Sequence, residues 1–405
     1  MSSARLPAHW KLEPLGRLAK AFISGGTPAT NQGAFWDSQV PWTTSAPIAE
    51  DDVTLDEGQR FITEAGLEGS ASHLVPKGSL LVGTRVGVGK AVVNEIDMAI
   101  SQDLTGVVID SGRAVPEFLA YQFKSAEVQR YFEARRRGTT IKGVSRHDLE
   151  RVELQLPPLP EQRVIARALR AVQEAKEARQ RELALERECK AALMEFLFTH
   201  GTRGEPRKTT EAGQIPGSWS VGRLGEPKVA KIERGKFAHR PRNDPAFYGG
   251  SIPFIQTGDV TASGGRIRTY SQTLNEEGLS VSKLFPKGTI VITIAANIGF
   301  TAIVEFGSAF PDSLIAITPA AGVATEYLHY YLTTQQHEMD RKAPRGTQKN
   351  INIEFLSPWP VLLPDPDEQQ EIAAALRSCD TKLRLKRSKK SWFFSMNSSA
   401  PCWKN

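Results

Sequence analysis

Cysteine is scarce in this sequence. Its three cysteines, Cys189, Cys379 and Cys402, are far apart in a chain of 405 residues, so they form neither a disulfide framework nor a zinc-binding pattern. There is also no apolar run of about eighteen residues, which a membrane-spanning helix needs. The first residues, 1–6, lack the apolar stretch of a signal peptide. We therefore expect a reduced, cytoplasmic protein with no membrane span.

The sequence motifs of common catalytic centres are missing as well. The seven histidines show no metal-ligand spacing. There is no glycine-rich phosphate loop of the Gly-x-x-x-x-Gly-Lys-Ser/Thr type, no Asn/Asp-Pro-Pro-Tyr/Phe tetrapeptide of amino-methyltransferases, and no carboxylate cluster of a nuclease. Asp103 and Asp312 precede predicted strands at matching places, but turn or cap hydrogen bonds are the commoner role of such residues. The sequence predicts a non-catalytic chain that binds no metal or cofactor.

Composition favours a globular protein of several domains with a mild preference for polyanions. Apolar residues make up 40% of the chain, which is enough for packed cores, and the length predicts two to three domains. The formal charge is +6 and the isoelectric point is about 9.1. A basic balance suits a polyanionic partner, although at this size it is only a weak indication.

Residues 157–198 predict one long amphipathic helix. Prolines occur only at its start, and apolar residues then recur at helical spacing among Arg, Lys and Glu. Its apolar stripe includes Val164, Ile165, Leu169, Val172, Leu183, Leu193, Phe196 and Leu197. At 1.5 Å per residue such a helix would reach roughly 55 Å. That length is typical of a spacer between two domains.

The chain repeats itself after a little over two hundred residues. Landmarks recur in the same order at offsets of 207 to 210. They are Trp10 and Trp219, Pro76 and Pro286, Asp103 and Asp312, Pro116 and Thr325, Gly138 and Gly346, Pro157 and Pro364, and Glu161-Gln162 and Glu368-Gln369. Each copy predicts a β-rich domain of about 140 residues, followed by a long helix.

We expect six segments along the chain. They are a first β-rich domain (1–156), a spacer helix (157–200), a linker (201–217), a second β-rich domain (218–363), a truncated second spacer helix (364–390) and an irregular tail (391–405). Strands are predicted at 80–83, 90–94, 106–109, 252–256, 288–294 and 314–317, and helices at 116–133 and 325–339. Turns are predicted at 25–28 and 249–251. Asp367 is the expected N-cap of the second spacer helix, whose apolar pattern fails after Leu385.

The best candidates for nucleic-acid contact are two basic loops at matching places. The first contains Arg135, Arg136, Arg137, Gly138, Thr139 and Lys142, and the second contains Arg345, Gly346, Thr347, Lys349 and Asn350. Arginine can bind a phosphate or the edge of guanine with two hydrogen bonds, and glycine lets the backbone approach closely. A solvated basic helix end is the plainer alternative. The recurrence of the loop in both halves favours the contact.

Other loops carry polar residues that could reach base edges. These candidates are Thr27, Thr43, Arg85, Arg240, Arg242, Gln256 and Thr257. Ordinary turns and strand ends without a partner are the alternative interpretation. Arg85 has no arginine counterpart in the second copy, where Ile294-Ala295 stands, so we expect the two copies to contact DNA differently.

A duplicated β-rich domain followed by a helix start of the Leu156–Gln162 kind resembles the specificity subunit of type I restriction-modification systems. The resemblance covers about residues 7–385. It implies an α+β fold with two target-recognition domains in tandem, separated by two long antiparallel coiled-coil helices with pseudo-two-fold symmetry. It also implies a non-catalytic reader of bipartite double-stranded DNA. Its partners would be methylation subunits, expected to be two, and restriction or translocase subunits, with S-adenosylmethionine, magnesium and ATP bound by those partners.

The resemblance also suggests a role for the apolar helix residues. We expect a subunit interface, together with packing between the two helices, at Leu169, Val172, Leu183, Leu193, Phe196, Leu197, Ile372 and Leu376. Two other functions stay open at this point. One is a coiled-coil adaptor with no DNA role. The other is the specificity module of a single-chain restriction-methylation enzyme or of a phage-exclusion system.

Overall fold

A computed structural model describes residues 7–136, 143–239, 242–295, 297–344 and 349–398, with side chains as far as residue 386. The chain divides into two units, residues 1–178 (unit 1) and residues 179–405 (unit 2). One long helix, α6, contains the boundary, so its first half belongs to unit 1 and its second half to unit 2.

Unit 1 has eleven strands among its described residues. They are β1 (Lys11–Pro14), β2 (Ala19–Ser24), β3 (Trp36–Thr43), β4 (Thr54–Leu55), β5 (Arg60–Ile62), β6 (Leu74–Val75), β7 (Leu80–Gly83), β8 (Ala91–Asn94), β9 (Met98–Ile100), β10 (Leu104–Ile109) and β11 (Glu153–Leu156). Its helices are α1 (Leu15–Leu18), α2 (Glu64–Glu68), α3 (Pro116–Phe123), α4 (Ala126–Glu133), α5 (Arg146–Glu150) and the first half of α6 (Leu159–His200). The predicted strands at 80–83, 90–94 and 106–109 are confirmed.

Three sheets form the β part of unit 1. Their strand orders are β2-β10-β7-β8-β4, β5-β3-β9-β6 and β1-β11. Every residue of β7 is buried, because the five-stranded sheet is covered on both faces. Leu80 and Val82 pack with α3 on one face, whereas Leu81 packs with β9 on the other. This alternation is what a strand between two apolar layers requires.

Unit 2 has thirteen strands among its described residues. They are β12 (Arg207–Thr210), β13 (Gly213–Pro216), β14 (Ser220–Arg223), β15 (Ala230–Arg234), β16 (Tyr248–Phe254), β17 (Arg266–Ile267), β18 (Gln272–Leu274), β19 (Leu284–Phe285), β20 (Ile290–Thr293), β21 (Thr301–Val304), β22 (Ser308–Ala309), β23 (Leu314–Pro319) and β24 (Pro360–Leu363). Its helices, besides the second half of α6, are α7 (Thr257–Ala262), α8 (Glu276–Ser280), α9 (Thr325–Lys342), α10 (Ile353–Leu356) and α11 (Pro366–Ser398).

The sheets of unit 2 repeat those of unit 1 strand for strand. Their orders are β15-β23-β20-β21-β17, β18-β16-β22-β19 and β14-β24, with β12-β13 as an additional hairpin. In both units the last strand of the five-stranded sheet is parallel to its neighbour, and the other pairings of that sheet are antiparallel. The sequence repeat is therefore a repeat of topology, and the predicted α+β fold with two β-rich domains is confirmed.

A buried glutamine fastens the start of each long helix to its own unit. Gln162 accepts a hydrogen bond from the Val115 backbone N–H at 2.9 Å and donates to the Pro157 carbonyl at 2.9 Å. Gln369 makes the equivalent bonds, from the backbone N–H of Ala324 at 2.8 Å and to a proline carbonyl at 3.0 Å. The Glu-Gln pair found in the sequence is thus an anchor for the helix, because the side chain joins it to the loop before α3 or α9.

The second half of α6 and helix α11 pack antiparallel within unit 2. Lys386 pairs with Glu182 at 2.7 Å, and Lys190 pairs with Asp380 at 2.5 Å. Residue numbers fall along α11 as they rise along α6, which fixes the antiparallel direction. The predicted contact between the two long helices is confirmed for this part of the chain.

Two details of α11 differ from the sequence prediction. The N-cap is Asp365, whose Oδ1 accepts from the backbone N–H of Asp367 at 3.1 Å and of Glu368 at 3.0 Å. Asp367 lies inside the first turn. The helix also continues to Ser398, into the segment expected to be an irregular tail, because neither proline nor glycine interrupts residues 367–398. Residues 399–405 lie outside the described residues.

Three further predictions need correction. The helix expected at 116–133 is two helices, because Ser125 caps α4 by accepting from the Val128 N–H at 3.3 Å. The turn expected at 249–251 lies inside β16, where a shift of register accommodates Gly249 at φ +84°. The segment expected to be a linker, 201–217, contains the hairpin β12-β13.

Candidate nucleic-acid interface

Arg135 and Arg136 lie at the C-terminal end of α4, next to the first basic loop. The Arg135 guanidinium stacks on the Tyr131 ring at 3.8 Å from its centroid, and Arg136 pairs with Glu133 at 3.0 Å. Tyr131 in turn donates to the Asp148 carbonyl at 2.9 Å, and its burial raises the pKa of its hydroxyl. Arg135 Nη1 also donates to the Tyr131 carbonyl at 3.3 Å, so the stacking and this bond together fix the plane of the guanidinium.

The chain returns from the first basic loop alongside the end of β7. The Val144 N–H donates to the Thr84 carbonyl at 2.8 Å. A Cβ at Gly143 would lie 2.8 Å from the same oxygen, so this close approach requires glycine. Arg85, which is exposed, stands next to this contact. The structure thus brings Arg85 to one end of the basic loop, while Arg135 and Arg136 lead into the other end.

Unit 2 has the same arrangement with different side chains. Ala295 and Asn350 form a β-bridge, and the Ile351 N–H donates to the Ile294 carbonyl at 3.0 Å. Ala295 therefore occupies the place of Arg85. Lys349 follows the second basic loop and pairs with Asp340 at 2.9 Å.

The cations at the end of α9 are already engaged. Arg341 and Lys342 both pair with Glu338, at 2.6 Å and 3.0 Å. These hydrogen bonds lower the pKa of the Glu338 carboxyl to about 2. Both units therefore place two cations and one carboxylate at the helix end before the loop, since Arg136 pairs with Glu133 in the same way.

Several predicted contact residues lie outside the described residues. They are Arg137, Gly138, Thr139, Lys142, Arg240, Arg345, Gly346 and Thr347.

The other predicted contact residues are dispersed. Thr27 donates to Gln102 at 2.5 Å. Gln256 precedes α7 and donates to Gln272 at 3.0 Å, and Thr257 begins that helix. None of these contacts joins Thr27, Gln256 or Thr257 to the residues beside the basic loops.

Arg242 is held by a carboxylate. It forms an ion pair with Asp312, whose backbone carbonyl also accepts from Arg234 Nε at 2.8 Å. Sequence patterns do not reveal this pairing, because 70 residues separate Arg242 and Asp312.

Thr43 was expected among the DNA contacts, and the structure contradicts this. Its side chain is fully buried, because Thr43 ends β3 and pairs with Ile100 of β9 inside the four-stranded sheet. Its hydroxyl donates to the Thr44 carbonyl at 3.3 Å. The polar run Thr43-Thr44-Ser45 is typical of an exposed loop, so only the sheet pairing reveals the burial.

The predicted interface residues of the long helices fall into two groups. Leu169, Val172 and Phe196 are exposed, at 40%, 59% and 55% of their surface. Four others are buried inside the chain, which corrects their assignment to a surface for another subunit: Leu183, Leu197, Ile372 and Leu376. Leu193 is partly buried against the unit 2 core. Helical spacing identifies an apolar stripe, but it cannot tell which part of the stripe is covered by the same chain.

The described residues contain no group of three or more His, Cys, Asp or Glu side chains placed to hold a metal ion. No helix in the described part of the chain combines the length and the apolar character needed to span a bilayer.

Comparison with known proteins adds a family to these observations. Residues 7–187 and 216–391 match the family model described as the type I restriction modification DNA specificity domain. The MjaIX specificity subunit of a type I restriction enzyme from Methanocaldococcus jannaschii is 26% identical over 263 residues, covering 62% of this chain and 58% of that relative. The putative MjaX specificity subunit from the same organism is 22% identical over 396 residues, covering 95% and 90%.

A solved structure agrees with the fold. The crystal structure of the S subunit of a type I restriction-modification system from M. genitalium aligns with a TM-score of 0.62 at 14% identity, over 98% of this chain and 95% of that one. At this level of identity the similarity concerns the fold alone.

Proposed function

Because the chain belongs to the family of type I restriction-modification DNA specificity domains, we propose that it reads a two-part DNA target, with one part recognised by each unit. The family is that of the specificity subunit, which recognises DNA and is not itself catalytic. The proposal concerns the residues that do so in this chain.

One observation carries the proposal. In both units a basic loop leaves the end of a helix and returns beside the end of a buried strand, at Thr84 in unit 1 and at Ile294 in unit 2. The described residues on the two sides of each basic loop are therefore attached to a helix end and to a strand end. We infer that Arg and Lys side chains between these attachments bind phosphates and base edges.

The two units are expected to read different sequences. Arg85 stands beside the first loop, whereas Ala295 stands beside the second. Arg135 and Arg136 lead into the first loop, whereas Ala343 and Pro344 stand at the matching places before the second. Different side chains at matching positions of two domains with the same fold are suited to reading two different half-sites.

Helix α6 is proposed to set the separation of the half-sites. Reading two major-groove segments on one duplex requires a defined number of base pairs between them. A continuous helix, Leu159–His200, joins the sequence of unit 1 to that of unit 2, and a helix has a defined length.

The chain is also proposed to assemble a larger complex. Its partners would be two methylation subunits and, through them, restriction or translocase subunits. Those partners would bind S-adenosylmethionine, magnesium and ATP, and they would carry the chemistry in the cytoplasm where the DNA lies. The exposed apolar side chains Leu169, Val172 and Phe196 on α6 are candidates for contact with a methylation subunit.

Binding to duplex DNA tests the proposal that the chain reads DNA. The chain, copurified with a methylation subunit, is titrated against duplex DNA at several salt concentrations. If the chain contacts phosphates, the logarithm of the affinity should fall steeply and linearly with the logarithm of the salt concentration. An affinity that does not depend on salt would contradict DNA reading and favour an adaptor without a DNA role.

A further inference from the structure

A cavity of about 550 Å³ lies in unit 2, where the second half of α6, helix α11, the start of α9 and the turn before β17 meet. Basic side chains dominate its lining. They are Arg187, Lys190, Arg266, Arg268, Arg377 and Arg384. Among the described residues, two carboxylates line the same cavity, Glu326 and Asp380.

Both carboxylates are already matched by cations. Glu326 pairs with Arg266 and, at 2.7 Å, with Arg377. Asp380 pairs with Lys190 at 2.5 Å and accepts from the Tyr330 hydroxyl at 2.6 Å. These bonds join α6, α9 and α11 around the cavity, so its walls are held in place.

Positive charge is left over after this pairing. The side chains of Arg187, Arg268 and Arg384 form no ion pair with any side chain in the described part of the chain. They line one concave space, where their charges repel one another unless an anion is present. Arginine presents a planar fork of donors that matches phosphate oxygens.

A buried histidine forms part of the wall. His329 is 6% exposed, and its Nδ1 lies 3.2 Å from the Thr301 hydroxyl. Its Nε2 faces Gly265, where φ is +97° and a Cβ would lie only 2.8 Å from that nitrogen. Glycine at this turn keeps the histidine edge of the cavity free of side-chain atoms.

The cationic cavity is not a general feature of the repeated unit. The positions of unit 1 that correspond to Thr381 and Arg384 at an offset of 207 are Glu174 and Glu177. Thr54 begins β4 where Arg266 begins the matching strand β17. A carboxylate therefore stands in place of Arg384 and a neutral side chain in place of Arg266, although Arg377 matches Arg170, so part of the positive charge is particular to unit 2.

We propose that this cavity binds a small polyanion with a chain of two or three phosphate groups, either inorganic or part of a nucleotide. Its volume lies in the range of small-molecule sites, and its concave shape suits a compact ligand rather than a duplex. Arg187, Arg268 and Arg384 would bind the phosphate oxygens. The bound anion would tie α6 and α11 to the β17 turn, and so strengthen the attachment of the β-rich part of unit 2 to its helix pair.

Calorimetric titration of the full chain with tripolyphosphate tests this inference. The variant carries Arg268→Ser and Arg384→Ser, both at exposed positions outside the core. The matched control carries Arg163→Ser and Arg167→Ser, two exposed arginines of the first half of α6 that lie far from the cavity in sequence. Loss of two charge-assisted contacts predicts binding about tenfold or more weaker in the variant and unchanged in the control.

Equal binding by the variant and the control, or no binding of tripolyphosphate by the unaltered chain, would overturn the inference. Parallel titrations with ATP and with duplex DNA distinguish the sources of phosphate. Binding of ATP that is weakened by the same two substitutions, Arg268→Ser and Arg384→Ser, supports the proposal. A variant that loses duplex affinity but binds tripolyphosphate normally would assign these arginines to DNA and overturn it.

Discussion

The indole Nε1 of Trp219 donates a hydrogen bond to Oε2 of Glu368 at 2.9 Å, and Glu368 is completely buried. The other carboxylate oxygen accepts from the backbone N–H of Thr202 at 2.8 Å. One side chain thus joins the start of α11 to the segment that follows α6 and to the residue before β14. Unit 1 repeats the bond between Trp10 and Glu161 at 3.1 Å, but there the glutamate is 37% exposed.

Because Glu368 is buried and Glu161 is partly exposed, replacing each by alanine should lower the free energy of unfolding by different amounts. Glu368→Ala leaves the buried indole N–H of Trp219 and the partly buried backbone N–H of Thr202 without this acceptor, and should lower the free energy of unfolding by about 2–4 kcal/mol. Glu161→Ala, the matched control, should cost about 1 kcal/mol or less, because water reaches Trp10 in its place. Urea unfolding followed by tryptophan fluorescence measures both variants. Equal losses would show that the buried bond is not the stronger anchor.

His329 predicts a dependence of stability on pH. Burial, with the nearby charges of Lys190 and Arg266, lowers the pKa of His329 to about 4 from a usual value of 6.5. The unfolded chain therefore binds a proton between these values while the folded chain does not. Stability should fall by about 3 kcal/mol as the pH drops from 6.5 to 4, with no contribution from His329 above pH 6.5.

The control for this prediction is His329→Gln, which keeps a polar side chain without the titrating ring. Denaturation midpoints at several pH values should decline less between pH 6.5 and 4 in this variant than in the unaltered chain. Parallel declines in the two proteins would contradict the assignment to His329.

Arg85→Ser should affect only one half of the DNA target. Removing one phosphate or base contact should lower duplex affinity and reduce the slope of log affinity against log salt by about one. The sequence preference should relax in a single half-site, because Ala295 stands at the matching place in unit 2. The sequence preference in each half-site is measured by binding to duplexes in which that half-site is randomised. Arg163→Ser is the control, and relaxed preference in both half-sites would disagree with separate reading by the two units.

Lengthening α6 should change the spacing of the target. Four residues inserted between Ala171 and Ala178 add roughly 6 Å, close to two base pairs. This position precedes Glu182 and Lys190, so the contacts of α6 with α11 keep their register. Glu174→Ala with Glu177→Ala alters the same segment without lengthening it. Mapping of methylated sites should show a longer spacer for the insertion only, and an unchanged spacer would refute the role of α6 as a ruler.

The sequence predicted the duplicated architecture because its landmarks are fixed by local chemistry. Pro, Glu and Gln mark the helix starts, and Gln162 and Gln369 make the same buried bonds in both units. It failed where tertiary packing decides. Thr43 looks like a loop residue but ends a buried strand, and Leu197 belongs to an apolar stripe that its own unit covers.

The candidate loops stay a prediction from the sequence, which rests on helix ends followed by glycine and basic residues. The electrostatics of the described residues beside them could not be predicted. Sequence spacing could not show that Arg242 is paired with Asp312, or that Glu338 engages Arg341. Nor could it show the cavity of unit 2, since Arg187, Arg268 and Arg384 come from three distant segments.

Genome-wide mapping of methylated adenines, in a host that carries this chain with the methylation and restriction subunits proposed as its partners, tests the central claim most directly. The account predicts a methylated motif of two specific parts separated by a fixed number of unspecified bases, and loss of that motif when this chain is deleted. Methylation at a single undivided motif, or a motif that persists without this chain, would contradict it.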